Sequence, residues 1–378
     1  MRKLALILLA LIPLLASAQY EEIIKSVKQQ YAPDRRVAVW DITSHNDGEK
    51  CVIAGQVDNP AAKQALTAAF AAKGKEIINN VEVLPSKAVS ATPWALARLP
   101  FVHNRVKPGH EYEMATQSLM GTPMRVLDKE DGWYRVQTPD NYISWVIESS
   151  LTLMSNADFN AWQSAQRYIV TGLITFMYET PVESENVASD LLLGDILVKT
   201  GEKKGWIQLA TPDGRKGWAH SKDVQPLEEW AAQPFSADKM LGVSRRMMGS
   251  TYTWGGMSPK GLDCSGLTKT CYFAIGIIIQ RDASQQVLYG QKIAPKDWKE
   301  ARPGDLLYFG TKSGRVTHTA IYEKDGYYIH SSGRVKRNSV DPDNDTYLTT
   351  PFLSINRIDG MVGTPGIVAA KEHKWYFK

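Results

Sequence analysis

GLDCSGLTKTCYFAIG, residues 261–276, sets Cys264 between an aspartate and a serine at the start of what reads as a helix. A thiol at a helix N-terminus lies among unpaired backbone N–H groups and the positive end of the helix dipole, both of which favour thiolate. The same N–H groups can hold the oxyanion formed when sulfur attacks a carbonyl. The chain has three cysteines, Cys51, Cys264 and Cys271, so at least one stays outside any intramolecular pair. Cys264 and Cys271 are separated by roughly two helical turns, about 10 Å, too far for a disulfide. Cys271, in CYFAIGIII, reads as a small core residue, and Cys51, in KCVIAGQV, as a strand residue without chemistry.

The compartment bears on that thiol. Arg2 and Lys3, the apolar run Leu4–Leu15 and then ASA before Gln19 form a signal-peptide pattern with cleavage near Ala18. The expectation is an exported protein, periplasmic or extracellular, with no integral membrane anchor, because the apolar run is too short to span a bilayer. Removal of Arg2 and Lys3 takes the formal charge from +4 to +2. So small a charge argues against a nucleic-acid partner or a polybasic membrane patch.

Beyond residue 18 the chain is too long for one core. Residues 19–98 read as a small N-terminal α+β domain: RRVAVWDIT and KCVIAGQVD, a helix-like PAAKQALTAAFAAKG, then IINNVEVLP. Two repeats follow, expected at 99–158 and 159–230. Gly121, Gly132, Trp133, Thr138, Pro139, Asp140 and Trp145 recur 73 residues later as Gly194, Gly205, Trp206, Thr211, Pro212, Asp213 and Trp218. Short alternating strands around TPD turns predict two small β-barrels with tryptophans in their cores. Tyr142 faces Arg215 in the other copy, so the repeat does not itself require an aromatic there.

From 235 to 378 a helical half precedes the strand-like GDLLYFG, HTAIYEKDG and YYIHSSG, an α+β arrangement. If HTAIYEKDGYYIH is a hairpin turning at KDG, His318 and His330 become neighbours on paired strands. One could take the Cys264 proton and the other could orient it. A metal site is a poorer reading, because Cys264, His318 and His330 lack close ligand spacing.

YTWGG, GLDCSGLT, RDASQQ, ARPGDLLYFG, HTAIYEKDGYYIH and SSG, in that order over residues 235–365, resemble the catalytic domain of NlpC/P60 cysteine peptidases, a papain-like fold that cuts cell-wall peptides. The repeats resemble bacterial SH3-like domains. The whole arrangement resembles γ-D-glutamyl-L-diamino acid endopeptidases, or dipeptidyl-peptidase VI. The resemblance implies Cys264 as nucleophile, His318 as general base and His330 as its orienting partner, with no metal or cofactor. It implies Tyr252 beside the thiol as oxyanion donor, Asp263 facing the substrate's free amino group, and Ser265 on the peptide. Arg281 and Asp282 would line the D-glutamate pocket, while Glu113 and Tyr142 would come from the first SH3-like domain as it closes the cleft. Ala283 stands where many members carry serine, which leaves the part of Ser284 open. Asp305 reads as a turn residue.

The expected partner is a peptidoglycan-derived peptide acted on by a monomer, through hydrolysis of the γ-D-Glu to diamino-acid bond of peptides with a free N-terminal L-Ala. The alternatives are a cell-wall peptide binding protein, a wall-remodelling endopeptidase with an open cleft, and an amidase or acyltransferase using the same pair.

Overall fold

The computed structural model describes residues 20–47, 50–74, 76–183 and 186–378; the signal-peptide reading of 1–18 lies outside them. Among the described residues no helix is long and apolar enough to cross a membrane.

The N-terminal unit carries a three-stranded sheet of Trp40–Asp47, Lys50–Val57 and Ile77–Val83, the first pair antiparallel and the second parallel. The parallel pair needs a crossover, and Pro60–Ala71 supplies it as a helix with Pro60 in its first turn and Asn59 accepting from Ala61 N at 2.9 Å. Leu66 and Phe70 of that helix bury against Ile53, Val57 and Cys51, so Cys51 is a core residue. A second helix over 20–31, absent from the sequence reading, adds Tyr20, Ile23 and Val27 to this core at helical spacing.

Each repeat lies in a seven-stranded sheet, the first of which also takes in Trp94–Ala97 from before residue 99, a correction to the expected boundary. Pro123–Glu130, Trp133–Gln137 and Ile143–Ile147 match Ile196–Lys203, Trp206–Ala210 and Lys216–His220 at the offset of the sequence repeat. The strands do not close into barrels as expected; the hydrogen-bonded ladders run open from edge to edge. The first sheet ends at Met114–Leu119, and there Gln117 Oε1 accepts from Met257 N at 2.9 Å, which ties that edge to the C-terminal unit. Trp133 and Trp145 are buried as predicted, whereas Trp206 and Trp218 are half-buried. Gly121, at φ 74°, lets the two sheets approach: a Cβ there would lie 2.1 Å from Ile196 O, whose own N–H bonds Met120 O at 2.9 Å.

The C-terminal unit packs the helices Ala237–Arg246 and Cys264–Phe273 against an antiparallel six-stranded sheet. Its order is Gln291–Ile293, Phe352–Arg357, Leu306–Gly310, Val316–Lys324, Tyr327–Ser332, Arg334–Ser339. Leu267, Cys271 and Tyr272 bury with Leu306, Tyr308 and Ile321, which confirms Cys271 as core. Asp325 and Gly326, both at positive φ, make the hairpin turn predicted at KDG. Asp305 is a buried structural carboxylate, held by Arg357 Nη2 at 2.9 Å and Arg302 N at 2.9 Å.

The first sheet is fastened to the helix Cys264–Phe273 by a buried ion pair, Lys269 Nζ to Asp140 Oδ2 at 3.0 Å, with Lys269 also donating to Ile279 O at 2.6 Å. A small cavity of about 60 Å³ lies beside it. Breaking such a pair leaves a buried charge uncompensated. Lys269→Met should cost about 3–5 kcal/mol, seen as a lowered melting temperature, and Asp140→Leu added to it should restore much of the loss.

Candidate active site

Cys264 occupies the first position of its helix and is almost wholly buried. Asp263 is the N-cap, accepting from Gly266 N at 2.6 Å. The same carboxylate accepts from Gly255 N at 2.9 Å in the YTWGG turn and pairs with Arg281, Nη2 at 2.6 Å and Nη1 at 3.1 Å. The backbone N–H groups of Thr319 and Ser265 favour thiolate at Cys264. Thr319 is the residue after His318, and the Cys264 helix packs against the hairpin strand that carries both.

His318 Nε2 lies 2.7 Å from His330 Nδ1, and His330 Nε2 lies 2.8 Å from Asn338 Oδ1. Asn338 Nδ2 donates to Thr346 O at 2.7 Å, which fixes the amide with its oxygen toward His330. That oxygen only accepts, so a neutral His330 carries its proton on Nε2 and offers Nδ1 as acceptor. His318 must then donate from Nε2, leaving its Nδ1 bare to take a proton. The expected adjacency of the two histidines is present. Asn338 was not foreseen: it stands on a third strand, Arg334–Ser339, and only that strand's register brings it beside His330.

Burial dominates the site's electrostatics. It pushes the Cys264 thiol up to about 11, reinforced by Asp263, against the opposing pull of the Thr319 and Ser265 N–H groups and Arg281. The expected depression of the thiol by the helix N-terminus is therefore outweighed by desolvation. Burial also lowers His318 to about 3, helped by His330 and Lys336, and His330 to about 4. Near neutral pH the resting pair is a neutral thiol and a neutral imidazole. Tyr252 is pushed up to about 12 by burial and by Cys264, so its hydroxyl stays protonated and can donate.

The remaining predicted residues also converge. Arg281, fully buried, donates to Asp263, to Ser265 Oγ at 2.9 Å and to Thr116 Oγ1 of the first sheet at 2.7 Å. Ser265 also donates to Asp263 at 3.3 Å. Asp263, Ser265 and Arg281 thus hold one another, and both Asp263 oxygens are already hydrogen-bonded. Tyr142 donates to Asp282 Oδ2 at 3.2 Å, and Trp254 Nε1 donates to exposed Glu113 at 2.8 Å. Both first-sheet candidates therefore touch the C-terminal unit beside the YTWGG and RDASQQ motifs. Ser284 accepts from Arg36 Nη1 at 2.9 Å, a residue of the N-terminal unit that sequence reading left unassigned. Among the described residues no group of three or more His, Cys, Asp or Glu side chains is arranged to hold a metal.

Comparison with known proteins agrees with this geometry. Residues 249–357 match the NlpC/P60 family and residues 104–151 the bacterial dipeptidyl-peptidase SH3 domain. A gamma-D-glutamyl-L-lysine dipeptidyl-peptidase of Bacillus cereus is 30% identical over 58% of this chain and 67% of its own length. The dipeptidyl-peptidase 6 of Lysinibacillus sphaericus is 29% identical over 68% of this chain and 94% of its own. The crystal structure of an NlpC/P60 family protein from Bacillus cereus superposes with a TM-score of 0.61 at 22% identity, covering 70% of this chain and 99% of that one. The chain belongs to the NlpC/P60 family. It is an enzyme of the cysteine peptidase class.

Three outcomes are expected. Alkylation of Cys264 by iodoacetamide should climb about tenfold per pH unit between about pH 6 and 9, as for an unionised thiol; a rate already saturated at pH 6 would mean a preformed thiolate. The histidines, lowered from 6.5, bind fewer protons folded than unfolded, so their contribution to stability is present above about pH 6.5 and declines toward about pH 3–4. Asn338→Ala should lower kcat by about ten- to a hundredfold with little change in KM, through a misdirected base.

Proposed function

We propose that the protein hydrolyses the γ-D-Glu to diamino-acid bond of cell-wall peptides that begin with a free L-Ala, through a thioester on Cys264. The observation that carries this reading is the His318–His330–Asn338 chain on the sheet that packs against the Cys264 helix, with Glu113 and Tyr142 of the first SH3-like sheet bonded to Trp254 and Asp282 in the motifs that flank Cys264 in sequence. The names of the relatives, gamma-D-glutamyl-L-lysine dipeptidyl-peptidase and dipeptidyl-peptidase 6, support the substrate class.

In this mechanism His318 Nδ1 takes the Cys264 proton as sulfur bonds to the γ-carbonyl carbon of D-Glu. Tyr252 and the N–H groups at the helix start receive the oxyanion. Collapse breaks the C–N bond, and the proton on His318 goes to the leaving amine of the diamino acid. Water, deprotonated by the same nitrogen, then attacks the thioester, releasing L-Ala-D-Glu and returning the proton to sulfur. His330 and Asn338 hold His318 in the required tautomer.

Acceptors for the substrate's ammonium are Glu113 and the Tyr142 oxygen, with Asp263 adding negative charge near the thiol while its oxygens stay engaged by Arg281, Gly255 and Gly266. An N-acylated peptide brings no charge to match and adds bulk against the first sheet, so it is discriminated against. Arg281, Asp282, Ser265 and Ser284 form the frame of the pocket that takes D-Glu. We further propose that the chain acts as four units behind a cleaved export signal, expected at 19–98, 99–158, 159–230 and 235–378, with the first boundary moved back because Trp94–Ala97 belongs to the first SH3-like sheet.

Mass spectrometry of products from L-Ala-γ-D-Glu-meso-diaminopimelate and its N-acetyl form tests the reading. Release of L-Ala-D-Glu from the free-amine peptide alone, lost in Cys264→Ala, is the expected result. Equal cleavage of both would indicate an open-cleft endopeptidase, and cleavage of neither a peptide-binding protein.

A further inference from the structure

The N-terminal unit lies outside both family matches, 104–151 and 249–357, yet it reaches the candidate pocket. Arg36 Nη1 donates to Asp282 Oδ2 at 2.8 Å and to Ser284 Oγ at 2.9 Å. Its other edge is clamped by Asp34, with Nε to Oδ1 at 2.8 Å and Nη2 to Oδ2 at 2.7 Å. Asp34 also accepts from Gln285 Nε2 at 3.0 Å, and Arg36 O accepts from Ile143 N at 2.7 Å. The loop is thus bonded to the RDASQQ motif on one side and to the residue after Tyr142 on the other.

Asp282 Oδ2 is the meeting point, because Tyr142 donates its hydroxyl proton to the same oxygen. A phenol that donates to a carboxylate keeps its oxygen lone pairs turned outward, available to accept from an ammonium. The direction of that donation depends on where the Asp282 carboxylate is held. The guanidinium fork of Arg36, itself fixed by Asp34, holds it in place. Arg36, Asp34 and Asp282 are each about one-third exposed on their side chains, so this clamp lies at the pocket wall and not in a sealed core.

We propose that Arg36 is a positioning residue for substrate specificity, by which the N-terminal unit, acting through Asp282, sets Tyr142 to receive the free amino terminus of the peptide. This rests on the reading of the site given under Proposed function. Its role is in selecting peptides, and the acylation chemistry at Cys264 does not pass through it.

The test compares Arg36→Ala and Arg36→Lys with the unaltered full-length protein. With the free-amine tripeptide, Arg36→Ala should raise KM by roughly tenfold, the worth of one charge-assisted hydrogen bond, while kcat and the rate of Cys264 alkylation stay within about twofold. The preference for free over N-acetylated peptide should shrink by a similar factor. Arg36→Lys, which keeps a cation beside Asp282, should recover part of both. An unchanged KM and preference in Arg36→Ala would overturn the proposal, and so would a joint fall of kcat and alkylation rate, which would mark a merely structural contact. Calorimetry of L-Ala-γ-D-Glu with the Cys264→Ala protein, with and without Arg36→Ala, separates this proposal from the reading beneath it. Binding weakened about tenfold supports Arg36 whatever the turnover; equal affinity, tight or absent, overturns it. Turnover of the tripeptide by the unaltered protein decides the reading itself.

Discussion

The ion pair between Asp263 and Arg281 joins the parts on which the site depends. One carboxylate caps the Cys264 helix, holds the YTWGG turn through Gly255 N and receives two guanidinium nitrogens. The guanidinium carries the connection on to Ser265 and, through Thr116, to the first sheet. Both partners are buried, so each charge would be costly alone; together, with most of their polar atoms hydrogen-bonded, they form a rigid joint. The position of Cys264 relative to the first sheet is thereby set by chemistry at the cap and does not rely on a flexible contact between separate bodies.

The same burial sets the character of the thiol. Desolvation raises the thiol and lowers both imidazoles, which favours the uncharged forms of all three near neutral pH. A chain of defined tautomers, ending at a backbone carbonyl, keeps His318 ready without an anionic partner. In the proposed mechanism Asn338 takes the part that a carboxylate plays in other triads, since an amide oxygen suffices to fix a tautomer.

Much of this was legible in the chain. The Cys264 helix, the turn at Asp325–Gly326 and the pairing of His318 with His330 follow from local pattern, and the repeat offset predicted two like units of short strands, in which three strands match. What escaped depends on distant packing. Closed barrels were expected because short alternating strands suit them, yet Gln117 ties a sheet edge to Met257, a contact that no local signal reveals. Asn338 needs the register of a third strand, and Arg36 needs the docking of a whole unit. The thiol's upward shift depends on how deeply the helix start is buried, which helix-dipole reasoning cannot weigh.

The account turns on a covalent intermediate at Cys264. Intact-protein mass spectrometry of samples quenched during turnover of the free-amine tripeptide, followed by peptide mapping, tests it most directly. A transient L-Ala-γ-D-glutamyl adduct on the peptide containing Cys264, labile to hydroxylamine as a thioester is, is the predicted result. Dipeptide release with no adduct under single-turnover conditions, or an adduct on another residue, would contradict it.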